Sequence, residues 1–196
     1  MKKNKILITG GLSKLGFEFV KYNINKGIFY ITYSQNSKLR KFNHFLNHKN
    51  IKLIKFNFDK ENNSRELKKI KKIKGVNILI FMSAYNPGRK KIEKFKKHEI
   101  LRSFNINFFH HFQILQIIYS KMIKVNKGQI INIASNAALT GGKMIYPYAA
   151  MKAAFSNILI SLKEDQKFIN KNIKIKNYFF KTIKNYKNTA KIIKIV

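Results

Sequence analysis

Tyr148 and Lys152 stand four residues apart, a spacing that could give their side chains a shared role in proton transfer. Residues at i and i+4 of an α-helix project from the same face. A tyrosine phenol has a pKa of about 10, which is high for acid–base work at neutral pH. A lysine ammonium one turn away favours the phenolate and should lower that pKa. The pair therefore predicts a general acid–base site.

The spacing alone is not specific, because Tyr22 and Lys26 share it and are interpreted as an exposed helix face. Ser135 adds specificity, since it follows the apolar run 128–134, which predicts a buried strand. Open α/β sheets bind their ligands at the carboxyl ends of their strands. We therefore expect Ser135 to reach the same site as the tyrosine and the lysine.

A glycine turn near the N-terminus predicts a nucleotide-binding loop. The apolar run 5–9 ends in Gly10-Gly11, and a helical pattern starts at Lys14. Glycines permit a tight turn and let backbone N–H groups approach a pyrophosphate at the helix N-terminus. The expected cofactor-binding residues of this turn are Thr9, Gly10, Gly11, Ser13, Lys14, Leu15 and Gly16.

The rest of the sequence alternates strands with helices. The predicted strands are 5–9, 28–33, 51–56, 76–82, 128–134 and 173–179. The predicted helices are 14–26, 37–48, 65–72, 95–123, 147–168 and 188–196, with residues 192–196 also compatible with a strand. This alternation predicts an α/β fold, a Rossmann-like doubly wound parallel sheet of about six strands with helices on both faces. No linker or repeat divides the sequence, so residues 1–196 are expected to form a single domain.

Together these segments resemble the short-chain dehydrogenase/reductase family over about residues 5–180. In that family the glycine turn reads Thr-Gly-x-x-x-Gly-x-Gly. Thr9, Gly10 and Gly16 match this pattern, whereas Lys14 replaces the middle glycine. At that position the lysine could contribute charge to a cofactor phosphate, or it could weaken cofactor binding.

The resemblance implies further contacts with a nicotinamide cofactor. Asp59, at the end of the third strand, should contact the adenine ring. The small residues Ser83 and Ala84, after the fourth strand, should permit close approach of the cofactor. Met82 stands just before them, and the asparagine that usually stiffens the sheet in the family is absent.

The end of the second strand favours NADP(H) over NAD(H). NAD-binding enzymes of this fold usually carry an acid there, which binds the ribose hydroxyl groups. The corresponding position is near Ser34, where no acid occurs, and the cations Lys38 and Arg40 follow. This combination suits a 2′-phosphate better than a free ribose hydroxyl.

By the same resemblance, Tyr148 is the proton donor, Ser135 binds the substrate oxygen, and Lys152 lowers the pKa of Tyr148 and binds the nicotinamide ribose. Asn107 is the matching active-site asparagine, which in relatives distorts its helix locally and holds a water of the proton relay. Asn105 is its nearest alternative. The implied reaction is hydride transfer between NADP(H) and a carbonyl or alcohol carbon of a small molecule.

The C-terminal part departs from the family. The predicted sixth strand runs into Phe180-Lys181-Thr182 without the usual Pro-Gly, and the sequence ends soon afterwards, so we expect a shortened C-terminus and a short substrate lid. The substrate stays open between sugar-nucleotide or surface-polysaccharide compounds and acyl or small-ketone compounds. Two alternatives to an active reductase also stay open: a cofactor-binding relative with little catalysis, and a basic nucleic-acid-binding module.

Composition limits the remaining function classes. The 196 residues carry a formal net charge of +33, which is typical of proteins that bind nucleic acid or anionic membranes. Because the lysines are spread along every segment and accompany many Ile, Asn, Phe and Tyr residues, biased codon usage is the simpler explanation, and no specific nucleic-acid partner is expected. No apolar run approaches the roughly 18 residues of a membrane span. The absence of cysteine and of a targeting segment favours a cytoplasmic enzyme.

Two further expectations concern metals and assembly. His44 and His48 have a spacing that could bind a metal, but no acid stands near them, and we predict no metal site. The family often forms dimers or tetramers through the helices that correspond to 95–123 and 147–168. We therefore predict a homodimer or homotetramer, with interface candidates Phe108, Phe109, Phe112 and Phe155.

Overall fold

In the described part of the chain, six parallel strands form one sheet. The computed structural model describes residues 3–34, 43–169 and 171–195, without the side chains of residues 43, 44 and 168. The strands are β1 (Asn4–Thr9), β2 (Gly27–Tyr33), β3 (Ile51–Lys55), β4 (Ile78–Phe81), β5 (Gly128–Ser135) and β6 (Ile173–Phe180). Their order in the sheet is β3-β2-β1-β4-β5-β6, so the strand order reverses between β1 and β4. This is the doubly wound order of the Rossmann fold.

Helices connect the strands and cover the sheet. The α-helices of the described ranges are α1 (Lys14–Asn23), α2 (Asn43–Leu46), α3 (Ser64–Lys72), α4 (Lys97–Phe104), α5 (His110–Val125), α6 (Ala137–Thr140), α7 (Tyr146–Phe168) and α8 (Tyr186–Ile192). Single 3₁₀ turns occupy Ile24–Lys26 and Ile92–Lys94. A π-helix, Asn105–Phe109, joins α4 to α5.

The central strands are apolar on both faces, as a parallel sheet covered by helices requires. In β1, Leu7 belongs to one core cluster, whereas Ile6 and Ile8 belong to the other. The first cluster lies under α3, α5 and α7, and the second under α1 and α8. Side chains alternate between the faces of a strand, so a continuous apolar run supplies both cores at once.

The predicted fold class is confirmed, and most predicted elements begin and end within a few residues of the observed ones. Residues 35–42 of the predicted helix 37–48 and its flank lie outside the described residues, and the remainder includes α2. The segment 192–196 was compatible with a strand, but α8 extends to Ile192 and no strand follows in the described residues. No described helix has the length and apolar character needed to cross a membrane.

Two predictions about individual residues are wrong. β3 ends at Lys55, so Asp59 does not end that strand but lies in the turn after it. Phe155 is only 1% exposed and packs in the core beneath α7, so it cannot contribute to a surface between subunits. The apolar character of α7 reflects the sheet that it covers as well as its outer surface.

Candidate active site

Two adjoining cavities lie at the carboxyl edge of the sheet, where the strand order reverses. One has a volume of about 550 Å³ and the other about 390 Å³. They share Ser13 from the β1–α1 turn and Met82 and Ala84 from the end of β4. The shared residues join the cavities into one elongated cleft, which is where open α/β sheets bind their ligands.

The larger cavity collects residues from the ends of β1, β2, β3 and β4. It includes the predicted cofactor residues Gly10, Ser13, Ser34, Asp59, Ser83 and Ala84. The other residues that line it were not predicted: Leu12, Thr32, Tyr33, Asn57, Phe58, Met82, Tyr85, Arg102 and Ile106. The strand ends in this group follow from topology, and the predicted active-site residue Asn107 indicates the segment that contains Ile106. No pattern in the sequence indicates that Arg102 of α4 also lines the cleft.

The smaller cavity contains the predicted proton-transfer residues. Ser135, Tyr148 and Lys152 line it together with Ser13, Lys14 and Leu15 of the β1–α1 turn. The other lining residues were not predicted as site residues, and they are Ile133, Ala134, Phe180, Lys181, Thr182, Ile183 and Tyr186. The structure thus brings the start of α1 and the start of α7 to one site, although they are far apart in sequence.

The β1–α1 turn depends on its first glycine. Gly10 has a φ of 68°, in the left-handed region, and a Cβ atom there would lie 2.6 Å from the Ser83 backbone nitrogen. Only glycine permits this approach between the ends of β1 and β4. The Gly16 N–H donates to Ser13 Oγ over 3.1 Å, so Ser13 caps α1.

Three predicted residues of this turn support it without lining either cavity. Thr9 is fully buried, and its Oγ1 accepts the backbone N–H of Met82 over 3.1 Å. Gly11 and Gly16 are buried, and added Cβ atoms would meet Ile31 and the Gly10 carbonyl respectively. Their contribution is the close packing of turn, helix and sheet.

Lys14, in place of the family's middle glycine, does not fill the cleft. It is exposed in the first turn of α1, and its Nζ lies 5.9 Å from the centre of the Tyr186 ring. Such a position allows a weak cation–π contact. The lysine therefore lies at the wall of the smaller cavity, beside the N-terminus of α1 and the Tyr186 ring.

Tyr148, Ser135 and Lys152 line the smaller cavity together. β5 delivers Ser135 to the edge of the sheet, and α7 carries the other two on one face. Lys152 is 2% exposed, and its Nζ donates to the Ile133 carbonyl over 3.1 Å. Burial lowers the pKa of Lys152 to about 8, because the apolar surroundings disfavour the ammonium.

The predicted lowering of the Tyr148 pKa by Lys152 is wrong for this structure. Burial raises the pKa of Tyr148 above its ordinary value, and a hydrogen bond with Ser135 lowers it by a smaller amount. The phenol loses solvation as it enters the cleft, while the ammonium of Lys152 is directed to the Ile133 carbonyl. The sequence gives the spacing of the two side chains but not the solvation of either.

Asn107 is fully buried in the π-helix, with all its hydrogen bonds made inside the protein. Its Oδ1 accepts the Tyr85 N–H over 3.0 Å, and its Nδ2 donates to the Tyr85 carbonyl over 2.8 Å and to Ser103 Oγ over 3.0 Å. The side chain therefore anchors the segment after β4, which lines the larger cavity. Asn105 is also buried, at the start of the same π-helix.

The opposite end of the cleft contains an ion pair. Arg102 Nε lies 3.1 Å from Asp59 Oδ2, and the guanidinium stacks over Tyr85 at 4.4 Å from the ring centre. Ser34 lines the same cavity directly after β2. The cations that favoured NADP(H) in the sequence, Lys38 and Arg40, lie outside the described residues. No cluster of three or more potential metal ligands occurs in the part of the chain that the structure describes.

Comparisons with known proteins agree with this architecture. The chain resembles serine dehydrogenase from Escherichia coli with a TM-score of 0.84 and 16% identity, over 96% of this chain and 88% of that one. It resembles a structure of ElxO with bound NADP with a TM-score of 0.73 and 24% identity, over 90% and 72% of the two chains. A bulky-bulky ketone specific alcohol dehydrogenase from Comamonas testosteroni gives a TM-score of 0.79 and 16% identity, over 91% and 73%. At these identities the likeness shows the fold.

Sequence comparison identifies the family. An uncharacterized oxidoreductase of Bacillus subtilis (strain 168), YhxC, is 30% identical over 89 residues, which are 45% of this chain and 30% of that protein. The match thus spans less than a third of the length of this relative. The family model described as short chain dehydrogenase matches residues 4–182. Because that match covers nearly all of the 196 residues, the chain belongs to the short-chain dehydrogenase/reductase family of oxidoreductases.

Proposed function

We propose that this enzyme transfers hydride between NADP(H) and a carbonyl or alcohol carbon of a small molecule, with Tyr148 as the general acid–base. The observation that carries the proposal is the meeting of Ser135, Tyr148 and Lys152 with the start of α1 in one cavity. A nucleotide-binding turn and a proton-transfer group at the same sheet edge suit a reaction that moves a hydride and a proton together.

The residues of the cleft fit a dinucleotide. Gly10 lets the turn approach the end of β4, and the first turn of α1 offers N–H groups to a diphosphate. Lys14 and Lys181 add positive charge beside them. The larger cavity, between the ends of β2, β3 and β4, would hold the adenosine half, and the smaller cavity would hold the nicotinamide half near Tyr148.

When bound, the nicotinamide supplies or accepts the hydride. In reduction, the Tyr148 hydroxyl donates its proton to the substrate oxygen, and in oxidation the phenolate accepts that proton. The Ser135 hydroxyl donates a hydrogen bond to the same oxygen and stabilises the charge that develops there. Lys152, one turn along α7 from the tyrosine, would bind the nicotinamide ribose through its ammonium.

The resting protonation states suit reduction. Because the pKa of Tyr148 is raised, the phenol carries its proton at neutral pH and is ready to donate it. Because the pKa of Lys152 is about 8, most of this lysine is an ammonium at pH 7. Proton donation thus starts from a neutral tyrosine that lines the same cavity as a protonated lysine.

The preference for NADP(H) rests on Ser34 and on the absence of an acid beside it. A serine leaves room for a 2′-phosphate and can donate a hydrogen bond to it, whereas a carboxylate would repel it. Substrate identity stays open, and a cytoplasmic location stays a prediction from the sequence. For assembly, we propose a homodimer or homotetramer built on α4, the π-helix, α5 and α7.

The test is a titration of the purified chain with NADPH and NADH by fluorescence, followed by turnover on a panel of ketones, aldehydes and acyl compounds. We expect tighter binding of NADPH and turnover of at least one carbonyl compound. Tyr148→Phe should reduce turnover by at least about 100-fold, since general acid catalysis contributes about that much, and should leave NADPH affinity nearly unchanged.

The results of these assays distinguish an active reductase from the two alternatives that the sequence leaves open. NADPH binding without turnover on any carbonyl compound would favour a cofactor-binding relative with little catalysis. Failure to bind either nucleotide would contradict the proposal and favour the basic nucleic-acid-binding module. Full activity of the Tyr148→Phe variant would reject Tyr148 as the proton donor while leaving the cofactor assignment intact.

A further inference from the structure

His111 is a fully buried histidine below the floor of the cleft. Its Nε2 lies 2.5 Å from Ser83 Oγ and 3.2 Å from Thr9 Oγ1. The ring packs against Phe81 and Phe155, at centroid distances of 4.8 and 5.2 Å. An imidazole enclosed in this way makes its polar contacts only with the protein.

These contacts connect the two strands at which the sheet order reverses. Thr9 ends β1, and Ser83 follows the end of β4. Thr9 Oγ1 also accepts the backbone N–H groups of Met82 over 3.1 Å and of Ser83 over 3.3 Å. The imidazole, the threonine hydroxyl and the backbone after β4 thus form one buried polar network beneath the cleft.

The ring is neutral in this network. Burial lowers the pKa of His111 well below its ordinary value, and electrostatic interactions with Lys152 and His110 lower it further. A neutral imidazole has one donor and one acceptor nitrogen. Nδ1 lies near the Asn107 backbone carbonyl without a well-aligned hydrogen bond, so a proton on Nδ1 leaves Nε2 to accept the Ser83 hydroxyl.

A buried polar group is costly when an apolar residue could fill the same space. The end of β4 offers no other polar side chain for a connection to β1, because Phe81 ends the strand and Met82 follows it. Ser83 and Ala84, which follow, line the cleft between the two proposed halves of the cofactor. The network therefore lies where a small displacement would change the shape of the binding site.

We propose that His111 is a positioning residue that holds Ser83 and Ala84 against β1 and so sets the floor of the cofactor cleft. This inference rests on the proposed function, in that the ligand affected is the nicotinamide cofactor. The connection itself is a property of the ligand-free chain and can be measured without any cofactor.

The test compares His111→Phe and His111→Gln with Ile118→Val. Phenylalanine fills the space without a hydrogen bond, whereas the glutamine amide oxygen can accept the Ser83 hydroxyl. Ile118 lies two turns after His111 on α5 and belongs to the core cluster that contains Phe81 and Phe155. Its truncation therefore controls for a general loss of packing. Each variant is assayed well below its unfolding temperature for NADPH affinity, turnover and amide hydrogen exchange of Met82 and Ser83.

We expect His111→Phe to weaken NADPH binding by about tenfold and to speed exchange of the Met82 and Ser83 amides, with the glutamine variant intermediate and the valine control unchanged. Combining His111→Phe with Ser83→Ala should weaken binding less than the product of the two single effects, because both remove one hydrogen bond. The Ser83→Ala variant also provides the measurement if His111→Phe fails to fold.

Unchanged NADPH affinity and unchanged amide exchange in the histidine variants would overturn the inference, as would independent effects in the double variant. Loss of stability with normal NADPH affinity would also overturn it, because a purely structural histidine predicts that result. If the unsubstituted chain binds no NADPH, the proposed function fails, and the amide exchange alone then decides whether His111 connects the two strands.

Discussion

At the scale of single residues, burial of Lys152 lowers the stability of the free protein but places an ammonium where the proposed reaction uses it. Its side chain is 2% exposed, and burial lowers its pKa from 10.5 to about 8. Such a shift corresponds to a free-energy penalty of about 3 kcal/mol for burying the ammonium form. A residue that weakens the free protein in this way is expected where function requires the charge.

Replacement of this lysine by an apolar residue should stabilise the protein. The unfolded lysine binds a proton below pH 10.5, but the folded one binds it only below about pH 8. The free-energy penalty of burying the ammonium is therefore fully present below pH 8 and disappears as the pH rises to 10.5. We expect Lys152→Met to raise the free energy of unfolding by up to about 3 kcal/mol at pH 7 and by much less near pH 10.

Urea unfolding at the two pH values measures this effect, with Lys163→Met as the control because Lys163 is exposed on the same helix. The free energy of unfolding of the Lys163→Met control should differ little from that of the unsubstituted chain at either pH. Turnover should be lost in Lys152→Met, since the variant has no ammonium at the proposed site of the nicotinamide ribose. A Lys152→Met variant that is less stable than the unsubstituted chain at pH 7 would contradict the assigned cost of burial.

At the scale of elements, the contact between α1 and α8 decides the position of Lys14. Ala190 of α8 and Ile193 after it are buried in the same core cluster as Phe19 and Val20 of α1. This packing places the Tyr186 ring beside Lys14 and brings residues 181–183 to the cleft. The tail of the described chain therefore completes one wall of the smaller cavity.

We expect Lys14→Gln to weaken NADPH binding by about threefold at low salt, because an exposed cation near a phosphate contributes about 0.2–1 kcal/mol. The difference should shrink as ionic strength rises, since screening acts on exposed charges. Lys21→Gln is the matched control, because Lys21 lies in the last turn of the same helix. Tighter binding by the Lys14→Gln variant would instead show that the lysine obstructs the diphosphate.

The π-helix shows how far an element can be predicted from the sequence. The apolar periodicity of 95–123 predicts a long helical region, and the family resemblance implies a local distortion of it at Asn107. The structure inserts one extra residue into this region as a π-helix over Asn105–Phe109. That distortion accompanies the burial of Asn107, whose amide bonds to Tyr85 across the sheet edge. Periodicity reports which faces are apolar, but a local change of helix type depends on a partner 22 residues away.

At the scale of the whole molecule, the region of α4, the π-helix, α5 and α7 carries apolar side chains that are exposed or only partly buried. Phe104, Phe108 and Phe112 stack in a row along one side of this region, with neighbouring ring centroids 5.6 and 6.1 Å apart. Ile100 on α4 is 44% exposed, and Ile160 on α7 is 49% exposed. A surface of this kind marks an interaction site in many proteins.

We expect the chain to sediment as a dimer or tetramer, and Ile160→Glu to shift it towards smaller species. A carboxylate at this position would be desolvated in an interface but solvated in a monomer. Ile192→Glu is the control, because Ile192 is 54% exposed on α8, away from α4 and α7. Sedimentation of the unsubstituted chain as a monomer would contradict the proposed assembly.

The sequence by itself determined the sheet, the family and the positions of the main chemical groups. Apolar runs, glycine turns and the Tyr148–Lys152 spacing are local patterns, and local patterns follow from backbone geometry. Only the tertiary structure decided how those groups are solvated and what surrounds them. It placed His111 beneath Ser83, Arg102 beside Asp59 and Tyr186 beside Lys14. Burial and long-range contacts depend on which distant segments meet, and for that reason the pKa of Tyr148 rises where the sequence predicted that it would fall.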